Sequence, residues 1–99
     1  MKWKQAILDY NHYLNIEREL SENTNYIRDI KKFVTFLEKK GISSSPINIT
    51  EEFIQEFVYE IAKKISSRSQ ARIISGLRSF FQYLIFENYR ESNPTDLIE

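Results

Sequence analysis

Between Ser66 and Phe86 the chain sets Arg68, Arg72 and Arg78 among serines at 67, 69, 75 and 79, and it carries no acidic side chain there. Cations of this kind neutralise phosphates, and hydroxyls donate the shorter hydrogen bonds that fix register on a nucleic-acid backbone. Laid on a helix at 100° per residue, Ile73, Ile74, Leu77, Phe80, Phe81 and Leu84 fall on one side. Arg68, Arg72, Ser75, Gly76 and Ser79 fall on the other, so one face suits a core and the opposite face suits phosphates. Gly76 adds a second signal, since a mid-helix glycine costs about 1 kcal/mol relative to alanine and close approach of another surface is one reason to tolerate it. Arg78 lies about 240° from Arg72 and belongs at the edge of the core.

A second stripe of the same kind precedes it. With Tyr26, Ile27, Ile30, Phe33, Val34 and Leu37 turned inward, Thr24, Asn25, Arg28, Lys31, Lys32, Thr35 and Lys39 share the outer half of one helix. The 99 residues hold 14 basic and 14 acidic side chains, and the neutral total weakens the electrostatic footprint of a polyanion binder. Its distribution is uneven: residues 21–41 carry five basic and three acidic side chains, 42–65 two and four, and 66–86 three and none. Positive charge therefore collects in the second and fourth segments. The bland reading of both stripes is an ordinary solvated face.

Other chemistries find little support. The absence of cysteine removes disulfides, thiolate metal sites and cysteine nucleophiles. His12 has no second histidine or cysteine to join around a metal and faces away from the core stripe. The tyrosines at 10, 13, 26, 59, 83 and 89 read as core or rim aromatics without the bases and anion clamp that a nucleophile needs. Glu51, Glu52, Glu56 and Glu60 follow one helix face and read as solvated. Neither a metal nor a cofactor is expected.

These residues need helices to position them. No segment alternates apolar and polar residues long enough for a strand, and two glycines and two prolines punctuate the chain, which predicts an all-α bundle. The predicted helices run from Trp3 to Glu19, from Glu22 to Lys40, from Glu51 to Lys64 and from Ser67 to Asn88, with one further turn started by Asn93 and Pro94. Gly41 is the expected cap of the second helix and GISSSPINI a surface connection. Thr50 caps the third helix with Ile49 and Ile54 as a staple, and Ser67 with Gln70 makes a capping box for the fourth. Residues 1–99 form one domain. The N-terminal MKWKQAILDYNHYL has no apolar run of signal or membrane length, so a soluble, cytoplasmic protein is expected.

The string SSRSQARIISGLRSFFQYLIFENYRESNP closely resembles the last helix of the N-terminal core-binding domain of tyrosine recombinases, the phage-integrase and Xer-type family. The pattern Ser-x-x-Arg-x-x-Ser-x-x-Arg-x-Phe-x-x-Tyr-Leu is met by Ser69, Arg72, Ser75, Arg78, Phe81 or its neighbour Phe80, Tyr83 and Leu84, followed by Asn93 and Pro94. Upstream, LSENT at 20–24 and YIRDIKKFVTFLEKKGI at 26–42 resemble the second helix of that domain, with Tyr26, Asp29, Ile30 and Phe33 in its Tyr-x-x-Asp-Leu-x-x-Phe pattern. One departure stands out: only Asn25 separates Thr24 from Tyr26, where relatives usually place three residues. The shortening rotates Thr24 by about 200° relative to the rest of the helix and weakens its place in the site.

The resemblance implies a four- to five-helix SAM-like domain forming half of a C-shaped clamp on duplex DNA, with its second and fourth helices across the major groove. It also implies a C-terminal catalytic domain, bearing an arginine, lysine and histidine set and a nucleophilic tyrosine, that makes a 3′-phosphotyrosyl intermediate. No His-x-x-Arg occurs in these residues, so the chain is expected to be a non-catalytic part of a longer recombinase, monomeric alone and oligomeric on DNA within the parent protein. Arg28, Lys31, Lys32, Arg68 and Arg72 are assigned to phosphates, Ser69, Ser75, Ser79 and Thr35 to positioning hydrogen bonds, and Thr24 to a weaker version of that role. The competing reading is a helical protein-interaction module working through the acidic face of the third helix and the C-terminal tail.

Overall fold

Apolar side chains recurring at three- and four-residue intervals fold into helices whose stripes face one another. In a computed structural model of the chain these are α1 (Trp3–Glu17), α2 (Glu22–Lys39), α3 (Glu51–Ile61) and α4 (Ser67–Phe86). The structure describes the backbone of residues 1–17 and 22–98, with side chains described for 1–16 and 25–98. Among the described residues there is no strand, and no helix is long and apolar enough to cross a membrane. The expected extension of the first helix to Glu19 lies outside the described residues.

The ends of the helices follow local chemistry. Gly41 takes φ +70°, and the Ile42 and Gly41 N–H groups donate to the Leu37 and Glu38 carbonyls, closing α2 with a Schellman motif. Asn88 does the same for α4 at φ 64°, with Tyr89 and Asn88 donating to Leu84 and Ile85, which sets the helix end at Phe86. Thr50 is the N-cap of α3 by its extended backbone, but its hydroxyl makes no capping bond. The cap of α4 is Ser66, one residue earlier than the capping box predicts, because its Oγ accepts the Ser69 N–H. Beyond Ile61, residues 62–64 form tighter turns, with Lys63 and Lys64 donating to Glu60 and Ile61.

α4 is the central helix, packed most extensively against α2 and buried along Ile73, Ile74, Gly76, Leu77, Phe80, Phe81, Tyr83 and Leu84. An aromatic chain runs through the core: Trp3 lies against Phe33 and Phe80 at 5.7 and 6.0 Å, Tyr10 against Phe80 at 5.4 Å, and Phe33 against Phe57 at 5.1 Å. Such edge and offset contacts add to area burial. The connection between α2 and α3 is not the surface loop that its composition suggests. Ile49 is fully buried, Trp3 Nε1 donates to the Ser44 carbonyl at 2.8 Å, and Arg90 Nη1 donates to the Pro46 carbonyl at 3.0 Å while its guanidinium covers the Phe81 ring.

Gly76 does not face outward. A Cβ built on it would lie 3.2 Å from Tyr26 Cδ1, so the glycine is where α2 and α4 approach closely. Gly76→Val should therefore cost about 1–3 kcal/mol by overpacking. Gly76→Ala should stay within about 1 kcal/mol of the parent, since the helix-propensity gain opposes the tight contact; urea denaturation of both variants measures the difference.

Burial, and then the charge of Glu87, push the Tyr83 phenol up to about 12. The folded state thus holds this proton more tightly than the unfolded chain, whose tyrosines titrate near about 10. Its contribution to stability is fully present below that pH and is lost as pH rises toward 12. Denaturant midpoints between pH 9 and 11.5 should fall less steeply for Tyr83→Phe than for the parent.

Candidate nucleic-acid interface

The outer stripe of α2 forms as its spacing predicts: Arg28, Lys31, Lys32, Thr35 and Lys39 are all exposed. They edge a groove of about 540 Å³ between α2 and α3, whose other rim carries Lys64 and Glu60 and whose floor includes Phe36, Phe57 and Ile61. Glu60, the carboxylate lining this groove, is paired with Lys40 at 3.2 Å. Arg28, Lys31, Lys39, Lys64 and Arg68 make no ion pair among the described residues. Their charge is therefore not neutralised by any carboxylate among the described residues.

Lys64 is absent from the residues singled out in the sequence, where it reads as a charge complementing the end of the third helix. Its place opposite α2 depends on the α3–α4 turn. Lys39 belongs to the outer stripe in the sequence, and the structure puts it on the same rim as Arg28.

α4 departs from its helical-wheel reading. Arg72 Nε and Nη2 donate to Asp29 Oδ2 and Oδ1, each at 3.1 Å, and Asp29 is fully buried in α2. Lys32 Nζ lies 3.9 Å from the same carboxylate. Ser79 Oγ is 2.7 Å from the Tyr10 hydroxyl, so it is half-buried and turned toward α1. Gly76 faces Tyr26, as above. Of the residues expected on an outer face, Gly76 is thus buried against α2 and Ser79 is half-buried against α1, while Arg72 stays exposed with one edge held by α2.

The remaining residues divide between the two sides. Arg68 is exposed one turn before Arg72. Ser69 is half-buried in the first turn, its Oγ 3.2 Å from the capping Ser66 Oγ. Thr35 Oγ1 donates to the Lys31 carbonyl at 3.0 Å, which leaves the hydroxyl as an acceptor toward solvent. Ser75 is exposed, but it lines a different groove, with Arg78 and Ile98. The side chain of Thr24 lies outside the described residues. Arg78 is a core-edge residue as expected: its Nη2 donates to the Ile98 carbonyl at 2.9 Å and to Thr95 at 3.4 Å. Asn93 caps the turn it shares with Pro94, accepting from the Thr95 N–H and hydroxyl and donating to the Arg78 carbonyl. No cluster that could hold a metal occurs among the described residues.

The family model of the phage-integrase N-terminal SAM-like domain matches residues 7–88. The chain belongs to this family. Among its relatives is the tyrosine recombinase XerD of Staphylococcus epidermidis, 42% identical over 96 residues that cover 94% of this chain and 32% of that protein. A tyrosine recombinase of Pseudothermotoga lettingae is 33% identical over 98 residues, covering 94% and 34%, and XerD of Halalkalibacterium halodurans is 35% identical over 91, covering 89% and 30%. The chain spans about a third of the length of these relatives. No solved structure matches it.

In this SAM-like domain several residues that carry the resemblance make contacts within the fold. Tyr26 meets Gly76, Asp29 meets Arg72, and Arg78 and Asn93 hold the tail, so that part of the pattern specifies the fold.

Removing either partner of the Asp29–Arg72 pair should have unequal effects. Arg72→Ala strands a buried carboxylate and should cost about 3–5 kcal/mol. Asp29→Ala leaves a guanidinium whose side chain is already 43% exposed and can turn to water, so its cost should be nearer about 1.5–3 kcal/mol. Chemical denaturation of the two variants checks the order.

Proposed function

We propose that this chain is the DNA-clamping part of a site-specific tyrosine recombinase, holding duplex DNA during integration or recombination while the rest of such a protein performs the strand chemistry. The observation that carries the reading is the set of unpaired cations around the α2–α3 groove in a chain of zero net charge. Arg28, Lys31, Lys39 and Lys64, with Arg68 beyond the α3–α4 turn, are the phosphate ligands on this reading, joined by Lys32, which also lies 3.9 Å from Asp29. The side chain of Thr35 and the exposed N-terminal turn of α4 near Ser69 supply positioning contacts. Ser75 and Ser79 have no part in that surface. By itself this portion neither cuts nor joins DNA, and it works on DNA beside a catalytic domain and further copies of the parent protein.

Membership of a family whose relatives are named tyrosine recombinases supports the same reading. A second reading, a protein-interaction module, draws on one observation. Tyr59 and Leu97, 69% and 73% exposed, line a shared groove between α3 and the C-terminal tail.

Titration of the labelled chain with duplex DNA at low salt separates the two. Amide shifts should cluster at 28–39, 64 and 68, and about five neutralised phosphates should give a slope of log K against log salt of about −4 to −5. Weak binding at physiological salt fits the proposal. Shifts confined to the Tyr59 and Leu97 side of α3, or none at all, would replace it with the second reading.

A further inference from the structure

Arg72 is more than a structural cation. Asp29 holds the guanidinium by its Nε and Nη2 edge, no described residue bonds Nη1, and the side chain is 43% exposed. The end of the fork, Nη1 and the second Nη2 hydrogen, is therefore free beside Lys32, where α2 and α4 cross. A long side chain normally loses rotamer freedom when it binds. Here that freedom is already spent by a fully buried carboxylate, and a fixed planar fork of two donors matches a bidentate acceptor.

We propose that Arg72, buttressed by Asp29, is the base-reading residue of this surface, its free edge pairing with the O6 and N7 acceptors of a guanine in the major groove. The proposal rests on the DNA-binding reading above and adds sequence discrimination to it. Exposed cations such as Arg28 and Lys31, which no described carboxylate holds, meet phosphates of any sequence. Arg72 differs because its direction is set from inside the protein. A bidentate arginine–guanine pair is the commonest specific contact in the major groove, and loss of it relaxes discrimination at one position by about 5- to 100-fold. Asp29 acts through Arg72 and is a positioning residue.

The test is selection of the 99-residue chain against a pool of random-sequence duplexes at low salt, with the bound fraction sequenced. The parent should enrich guanine at one position. Arg72→Lys keeps the charge but lacks the fork, so the guanine preference should disappear among the duplexes it still binds. Asp29→Asn should weaken the preference at the same position. Amide spectra establish that each variant is folded. In the parent, the Arg72 Nη protons should sharpen on addition of an enriched duplex, a readout that needs no variant. A parent that binds the pool without base preference overturns the proposal, as does a folded Arg72→Lys chain with the preference intact, or Nη protons unaltered by the enriched duplex. If the parent fails to bind the pool at all, the DNA-binding reading itself falls, and this proposal falls with it.

Discussion

A carboxylate buried in the packing of two helices fixes the rest of this structure. Asp29 is fully removed from water, and an ionised carboxylate in that position needs a cation with matched geometry. Arg72 meets it with two parallel hydrogen bonds, which pins the rotation of α4 against α2. Gly76, one turn along α4, then falls where Tyr26 leaves no room for a larger side chain. Ser79, on the following turn, reaches the Tyr10 hydroxyl on α1. Three contacts at successive turns of one helix thus share a common cause.

The same pairing shapes the electrostatics. A neutral chain can still present a charged surface if its acids are spent where they offset particular cations. Asp29 lies beside Arg72 and Lys32, and Glu60 beside Lys40, while Glu52 and Glu56 stand exposed on α3. Exposed pairs such as Glu60 with Lys40 contribute little stability. Their effect is on the surface potential, since Arg28, Lys31, Lys39 and Lys64 around the α2–α3 groove make no ion pair among the described residues. Net charge was a poor guide here because the sum hides which acids are already occupied.

The helices and most of the core were legible from periodicity. Ile30, Phe33, Leu37, Ile54, Phe57, Leu77, Phe80 and Leu84 are buried where the stripes put them. A helical wheel sorts residues by type, so it puts Gly76 and Ser79 on the outer arc of α4 and gives no sign that the exposed Arg72 is tied to Asp29. What overrode type was a partner on another helix, 43 residues away for Arg72 and 69 for Ser79. One signal was present in the sequence. On the wheel of α2, Asp29 falls between Phe33 and Phe36, inside the apolar arc. An acid there demands a cation, and the acid-free helix is the natural place to find one. Lys64 was legible only as a helix-end charge, since its place across the groove is set by the turn between α3 and α4.

The two kinds of cation divide by geometry. Of the five arginines with described side chains, three are tied into the fold: Arg72 by Asp29, Arg78 by the carbonyls of the tail, and Arg90 by Pro46 and the face of Phe81. A planar guanidinium suits such places because it hydrogen-bonds along its edges and stacks on its face, and it stays charged even where burial lowers its pKa, as at Arg90. The outward set is mostly lysine, at 31, 32, 39 and 64, whose compact, hydrated charge on a flexible stem neutralises a phosphate without demanding a particular angle. On the proposed reading, lysines hold a backbone of any sequence, and direction is left to an arginine the fold has already aimed. Arg72 combines an inner edge held by Asp29 with an outer edge that no described residue bonds, beside Lys32 of that lysine-rich surface.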